Sequence, residues 1–265
     1  MRPSGTVAER KTSSMTALSK KYRYNAEPRL SANQLAEYLK ATSARRKGII
    51  KDAKFPRTAV VTQYRHAREG ISKFVCSDIR DQKILVSAIS SLTDKEADED
   101  ATGWTRDDAR RSIEAIQTFQ KSMNAMGIDK LDCKRVAGNQ PPLMIQGVTI
   151  SVNLDATTHR LVKANDAVGG VSFLFSKAET SGTARADRSK VAAVLALLFA
   201  QEHLGYLGVA DPTICFSFDV MAGKAYPAPK TYKTLLTNME AACEEVALRW
   251  SITAAPADYD GPPWQ

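Results

Sequence analysis

The stretch "GVTISVNLDATTHR", residues 147–160, decides how the second half of the chain is interpreted. A run rich in β-branched residues ends at Asp155 and then becomes polar, which predicts a strand followed by a turn. A carboxylate at a strand end can bind a metal ion, or it can begin a turn through its own hydrogen bonds. If Asp155 only begins a turn, we expect its replacement by alanine to change stability modestly.

The segments around this stretch predict the fold class. "LMIQGVTISVNLD" (143–155) and "VGGVSFLFS" (168–176) are typical of strands, with a polar connection between them. A strongly apolar helix begins near Asp187, "TICFSFDV" (213–220) is a further strand, and a last helix covers about residues 231–250. The order predicts an α+β fold with a mixed β-sheet and a helix that crosses it.

The first part of the chain predicts a helical N-terminal module. Ser31 and Gln34 form a capping-box pattern at the start of a helix, and Pro56 opens another helix. We therefore divide the chain into four segments: a disordered basic tail (1–29), a helical basic module (30–100), an α+β domain (101–252) and a flexible tail (253–265).

Charge is distributed unevenly along the chain. Residues 1–80 contain 18 Lys and Arg against 6 Asp and Glu, whereas the remaining residues are slightly acidic. Such a basic segment favours a polyanionic partner, DNA or RNA above all, although a solvated helical face would show the same composition. The residues predicted to contact phosphates are Arg45, Arg46, Lys47, Lys51, Lys54, Arg65 and Arg68.

Several classes of protein are disfavoured by the sequence. No segment approaches the length of apolar sequence that spans a membrane, and the N-terminus has no stretch like a signal peptide. The four cysteines form no CxxC pair, which argues against a structural zinc site and fits free thiols in the cytoplasm. Neither GxGxxG nor GxxxxGK[ST] is present.

The element order over roughly residues 105–225 resembles the PD-(D/E)XK nuclease superfamily. The resemblance implies that Asp155 binds Mg²⁺, that Glu114 assists from the helix before the sheet, and that Asp219 approaches as a second metal ligand. The third strand departs from the family pattern, because Ser172 and Leu174 stand where an acidic-x-Lys motif is expected. Lys177 comes later and is the candidate for the catalytic lysine.

Two functions from different classes follow. The first is a nucleic-acid-associated protein with a degenerate nuclease domain, for which the superfamily implies a role in bacterial defence. The second is a non-catalytic adaptor or subunit that binds a protein partner. Residues 35–56 are also similar to a bacterial protein family, a likeness that implies no function, and the sequence does not fix the oligomeric state.

Overall fold

The computed structural model describes residues 20–58, 63–136, 139–162, 165–175 and 182–263. Within these ranges the helices are α1 (Ala32–Tyr38), α2 (Ser43–Lys54), α3 (Arg65–Val75), α4 (Lys83–Ala97), α5 (Gly103–Ser122), α6 (Gly182–His203) and α7 (Lys233–Ile252). The strands are β1 (Arg29–Ser31), β2 (Asp132–Lys134), β3 (Leu143–Ile145), β4 (Val148–Ser151), β5 (Ala156–Val162), β6 (Asn165–Leu174), β7 (Val209–Ala210), β8 (Phe216–Asp219) and β9 (Lys224–Pro227). The predicted α+β class is confirmed.

The main sheet has six strands and a mixed topology. Its order is β2-β5-β6-β8-β9, and β7 pairs with the first part of β6. β6 and β8 are parallel neighbours, while the β2–β5, β5–β6 and β8–β9 pairs are antiparallel. Two parallel neighbours need a crossover connection, and α6 provides it. The predicted mixed sheet with a crossing helix is therefore confirmed.

A glycine marks the point where β6 changes partners. Ala167 and Val168 pair with β7, whereas Val171 begins the pairing with β8. Between them, a Cβ atom on Gly169 would lie 2.4 Å from the carbonyl oxygen of Ile214. Only glycine allows the chain before β8 to pass this close to the sheet.

A second, three-stranded sheet was not predicted. Its order is β1-β4-β3, with β1 parallel and β3 antiparallel to β4. The strand-like stretch 143–155 contains the β3–β4 hairpin, which turns at Gln146 and Gly147 with φ of 47° and 74°. Two successive residues with positive φ are characteristic of a tight hairpin turn.

The two faces of the main sheet belong to two different cores. Val168 of β6 packs into a core with α1, α2, α6 and α7. Val171 and Phe173 pack into the other core, with α3, α4 and α5. Side chains alternate between the faces of a strand, so these odd and even positions lie on opposite faces. Helices α2 and α3, both predicted for the basic module, consequently belong to different cores, one on each side of the sheet.

The described ends of the chain contact each other. Residues 21–25 run beside residues 54–58, with the Arg23 amide donating to the Pro56 carbonyl at 2.8 Å. The Asp260 carboxylate accepts hydrogen bonds from the amides of Lys21 and Tyr22 at 2.9 and 3.1 Å.

At the start of α1, Ser31 and Gln34 make both hydrogen bonds of the predicted capping box.

In the part of the chain that the structure describes, no helix combines the length and the apolar character needed to cross a bilayer.

Candidate functional site

Asp155 lies at the start of a strand and not at the end of one. It directly precedes β5, and its amide donates to the Val171 carbonyl of β6 at 2.7 Å. The residues after it, predicted as a polar connection, form β5 in the centre of the main sheet. Thr157 and Thr158 of this strand are buried, and Thr158 donates its hydroxyl to the Ile214 carbonyl. The strand that was predicted to end at Asp155 ends at Ser151, and the polar connection predicted after Asp155 contains β5.

The Asp155 carboxylate is buried and surrounded by donors. Its side chain is 4% exposed, and Arg68 of α3 donates Nη1 to its two oxygens at 2.8 and 2.6 Å. The Phe173 amide donates to Oδ2 at 2.6 Å, and the Ser72 hydroxyl lies 3.4 Å from Oδ1. The carboxylate therefore joins α3 to the start of β5 and the end of β6.

Arg68 makes a second connection to β6. Its Nη2 donates to the Phe173 carbonyl at 2.7 Å, and its guanidinium lies 5.2 Å from the centre of the Phe175 ring. Burial raises the pKa of Asp155, while Arg68 and the Phe173 amide oppose that rise. The charge of Asp155 is thus compensated by hydrogen bonds within the protein.

Asp219 is the second buried carboxylate at the same end of the main sheet. It pairs across the ladder with Leu174, so it lies at the carboxyl ends of the parallel strands β6 and β8. Arg185 of α6 donates Nε to Oδ2 at 2.9 Å and Nη2 to Oδ1 at 2.6 Å. The side chain of Asp219 is 5% exposed, and its Oδ1 also accepts the Ala222 amide at 3.0 Å.

The other predicted catalytic residues do not join these carboxylates in the described structure. Glu114 lies on the exposed side of α5, next to the buried Ala115 and Ile116 that pack on the sheet. Lys177 lies outside the described residues. Among the described ranges, no three His, Cys, Asp or Glu side chains are arranged to hold a metal ion.

The donor set does not fit Mg²⁺ as it stands. Mg²⁺ requires open carboxylate or water oxygens in near-octahedral geometry. Both oxygens of Asp155 and of Asp219 already accept hydrogen bonds from an arginine. A divalent cation would have to displace Arg68 or Arg185, so we derive no reaction step through a metal.

Most of the predicted phosphate contacts are engaged within the protein. Arg45 pairs with Glu37 at 2.7 Å, Arg46 with Glu245 at 3.0 Å, and Arg65 with Glu69 at 3.0 Å. Arg68 is held by Asp155. These ion pairs reduce the charge that α2 and α3 present to a polyanion.

Lys54 is buried, so its prediction as a phosphate contact is corrected. Its side chain is 1% exposed, and Nζ donates to the carbonyls of Trp250 and Thr253 at 2.7 and 3.0 Å. These carbonyls lie at the end of α7, where cations are favourable because of the helix dipole and the free acceptors. Lys54 therefore stabilises the contact between α2 and the end of α7.

A different set of cations remains at the surface of the N-terminal third. Between residues 23 and 57, five surface cations form no ion pair with an Asp or Glu in the described ranges, and we call them the basic surface: Arg23, Arg29, Lys47, Lys51 and Arg57. Lys51 is half-buried and the other four are exposed. Only Lys47 and Lys51 were among the predicted contacts.

Local structure brings three members of the basic surface together. Arg23 and Arg57 lie on neighbouring segments that are joined by the Tyr22–Arg57 bridge, and Arg57 lies over the Tyr22 ring. Arg23 and Arg29 border one groove with Asp52, which pairs with Arg45 at 3.6 Å. The charge count of residues 1–80 pointed to this region, but the sequence could not show which cations have intramolecular partners.

Comparisons with known proteins add no assignment: no protein-family model matches the chain, and no match was found among curated proteins.

Proposed function

We propose that the protein binds nucleic acid through the basic surface and that its α+β domain is a degenerate PD-(D/E)XK-like domain. The observation that carries the proposal is the basic surface, whose five cations form no ion pair with an Asp or Glu in the described structure. Phosphate groups provide such partners, and their binding releases condensed counterions from the nucleic acid. Residues 1–19 add further Lys and Arg to the same region of the sequence.

The order of elements supports the second half of the proposal. In the main sheet, β2, β5 and β6 follow α5 and precede α6 and β8, which matches the helix, three strands, helix and strand of the resemblance. The chain between β2 and β5 also forms β3 and β4 of the second sheet, and the strands predicted within 143–155 lie there. Asp155 stands at the start of the second of these three strands. Its oxygens, however, accept from Arg68, and Ser172 and Leu174 occupy the positions of the acidic-x-Lys motif.

Nucleic-acid binding is tested with two variants. One removes cations that have no acidic partner, and the other removes cations that have one. The test variant replaces Arg23, Lys47 and Lys51 with alanine. The control replaces Arg65, Arg110 and Lys134, which are exposed and pair with acids. Fluorescence anisotropy with labelled single-stranded and duplex oligonucleotides, over a series of salt concentrations, measures both the affinity and its salt dependence.

We expect the test variant to bind about tenfold more weakly or worse, and the salt slope to fall by roughly 0.7–0.9 for each phosphate that the variant no longer neutralises. The control should keep most of its affinity, because each of its cations is already neutralised in part. Equal affinity of the two variants, or binding that does not respond to salt, would contradict the proposal. That result would favour the adaptor function, in which the partner is a protein.

Cleavage is a separate test. Hydrolysis with a divalent metal needs at least two oxygen ligands and a positioned water. We expect plasmid DNA to stay intact with Mg²⁺ or Mn²⁺, since neither Asp155 nor Asp219 offers an open oxygen pair. Metal-dependent cleavage that disappears in Asp155→Asn and persists in Glu114→Gln would contradict the degenerate site and make Asp155 a metal ligand.

We also propose a cytoplasmic location. All four cysteines are unpaired, and burial raises the pKa of Cys133, Cys215 and Cys243 to about 12. Unpaired thiols are typical of a reducing compartment, and cell fractionation tests the location.

The superfamily resemblance extends the proposal to bacterial defence. In that case, cells that contain the protein should give fewer phage plaques than cells without it.

A further inference from the structure

A groove separate from the basic surface opens between four helices. It has a volume of about 610 Å³ and lies between the end of α1, Arg46 of α2, the second turn of α6 and the first half of α7. Leu39, Val191, Leu235 and Ala242 form apolar parts of its wall. Its size falls within the range of sites that bind small molecules, and such sites combine an apolar wall with a few polar groups.

One side of the groove has two lysines that share one carboxylate. Lys40, two residues after the end of α1, lies 2.9 Å from Asp187 Oδ2, and Lys190 of α6 lies 3.9 Å from Asp187 Oδ1. A single carboxylate balances only one of these charges. The two ammonium groups therefore leave this side of the groove positively charged.

A second carboxylate at the edge of the groove, Glu245, is shared by two arginines, of which Arg46 borders the groove. Arg46 of α2 and Arg249 of α7 bind the two oxygens of Glu245 at 3.0 and 2.9 Å. Arg46 also donates to the Tyr38 carbonyl at 3.1 Å and lies 5.1 Å from the centre of the Tyr38 ring. These contacts hold its guanidinium in place at the edge of the groove, where a preorganised cation binds an anion at a lower entropic cost.

Neutral donors line the remaining edge. The side chains of Thr231, Thr234 and Asn238 border the groove near the start of α7. Hydroxyl and amide groups can donate hydrogen bonds to an anionic oxygen. Three cations, Lys40, Lys190 and Arg46, border the groove with the two carboxylates Asp187 and Glu245, which leaves an excess of positive charge. Together with the neutral donors and the apolar wall, this charge favours a ligand with a negative group and an apolar portion.

We propose that this groove binds a small organic anion, in which a phosphate or carboxylate group contacts Lys40, Lys190 and Arg46 and an apolar portion contacts Leu39, Val191 and Leu235. The site is independent of the proposed nucleic-acid function, because none of these residues belongs to the basic surface.

Phenyl phosphate and benzoate are suitable probes, and inorganic phosphate tests the anion alone. Titration of the isotope-labelled full chain, followed by amide chemical shifts in NMR, reports both the affinity and the position of binding. We expect saturable shifts around residues 187–191 and 231–245, and weaker binding of inorganic phosphate than of phenyl phosphate. The tighter of the two organic probes identifies the preferred anionic group.

Three variants locate the site. Lys40→Ala with Lys190→Ala should weaken probe binding about tenfold or more, because the excess charge is removed. Ala241→Trp should also weaken it, since Ala241 is exposed and borders the groove, so the indole fills space without changing any charge. Lys47→Ala with Lys51→Ala is the control. These lysines belong to the basic surface and do not line the groove, so the affinity for the probe should change by no more than about twofold.

The proposal is overturned if the native chain shows no saturable shifts, or if binding survives both groove variants. Binding that disappears in the lysine variant but is retained in Ala241→Trp also overturns it, because the probe then binds to surface charge outside the groove. Loss of nucleic-acid affinity in Lys47→Ala with Lys51→Ala bears only on the proposed function. The two ideas can therefore fail separately.

Discussion

Two buried carboxylates at one end of the main sheet have similar partners and different surroundings. Asp155 is 4% exposed and pairs with Arg68 of α3, whereas Asp219 is 5% exposed and pairs with Arg185 of α6. The two helices cover opposite faces of the sheet. Each arginine thus attaches one helical layer to the same end of the sheet.

The two pairs differ in what else they connect. Arg68 and Asp155 are 87 residues apart, and both also bind Phe173, through its carbonyl and its amide. Arg185 and Asp219 are 34 residues apart, and among the described residues Asp219 otherwise accepts only from Ala222 in the turn that follows it. The Asp155 pair therefore fixes three elements, while the Asp219 pair fixes one helix to a turn at the surface end of a strand.

The largest expected effect comes from Arg68→Ala. It leaves the buried Asp155 carboxylate without its cation, and removing one partner of a buried pair costs about 3–5 kcal/mol of the free energy of unfolding. Because the Arg68 side chain is itself 39% exposed, we expect the lower part of this range. Urea denaturation at neutral pH measures it. Arg65→Ala on the same helix is the control, and its cost should stay within roughly 0.5 kcal/mol because that side chain is exposed.

The pH dependence of this variant checks the cause. Burial raises the pKa of Asp155, and loss of Arg68 removes an opposing influence. A carboxyl group with a raised pKa in the folded state binds protons more tightly there than in the unfolded chain, so stability rises as the pH falls toward the unfolded value of about 3.9. We expect Arg68→Ala to be less destabilising at pH 5 than at pH 7. A cost that does not change with pH would show that the loss of packing, and not the unpaired carboxylate, explains the effect.

Arg185→Ala should cost less, about 2–3 kcal/mol. Asp219 is equally buried, but it lies beside a turn that can move to bring the carboxylate into water. Lys190→Ala, which removes an exposed cation from the same helix, is the control for charge. If Arg185→Ala lowers the free energy of unfolding more than Arg68→Ala does, the number of elements that a pair connects does not determine how much it stabilises the protein.

The sequence predicted the fold where the signal is local. Hydrophobic periodicity indicated the crossing helix α6, and the spacing of Ser31 and Gln34 predicted a capping box whose two hydrogen bonds are both present. β5 was missed because "ATTHRLV" has no apolar alternation. Its buried positions include Thr157 and Thr158, whose polar groups are satisfied by hydrogen bonds that the sequence cannot show.

The candidate site was harder to predict because its partners are distant in sequence. The ion pair of Arg65 with Glu69 could be read from the i, i+4 spacing. The pairs of Arg46 with Glu245 and of Arg68 with Asp155 could not, and neither could the burial of Lys54 against the end of α7. A count of charges therefore identified the basic region but not the cations that remain available within it.

The smallest expected effect isolates the neutral donor at Asp155. The Ser72 hydroxyl lies 3.4 Å from Oδ1, which is long for a hydrogen bond between oxygens. Ser72→Ala should therefore cost only about 0.5–1 kcal/mol, less than a hydrogen bond of ideal length to a charged group. Ser87→Ala on α4 is the matched control, since Ser87 is exposed within a helix and the same substitution brings the same gain in helix propensity. The difference between the two variants in urea denaturation gives the contribution of the hydroxyl. If this contribution is as large as the loss of stability in Arg68→Ala, the neutral donor, and not the arginine, supports the buried carboxylate. The contrast between the two arginine–aspartate pairs would then depend on Ser72. This hydroxyl has no counterpart among the hydrogen bonds of Asp219 in the described structure.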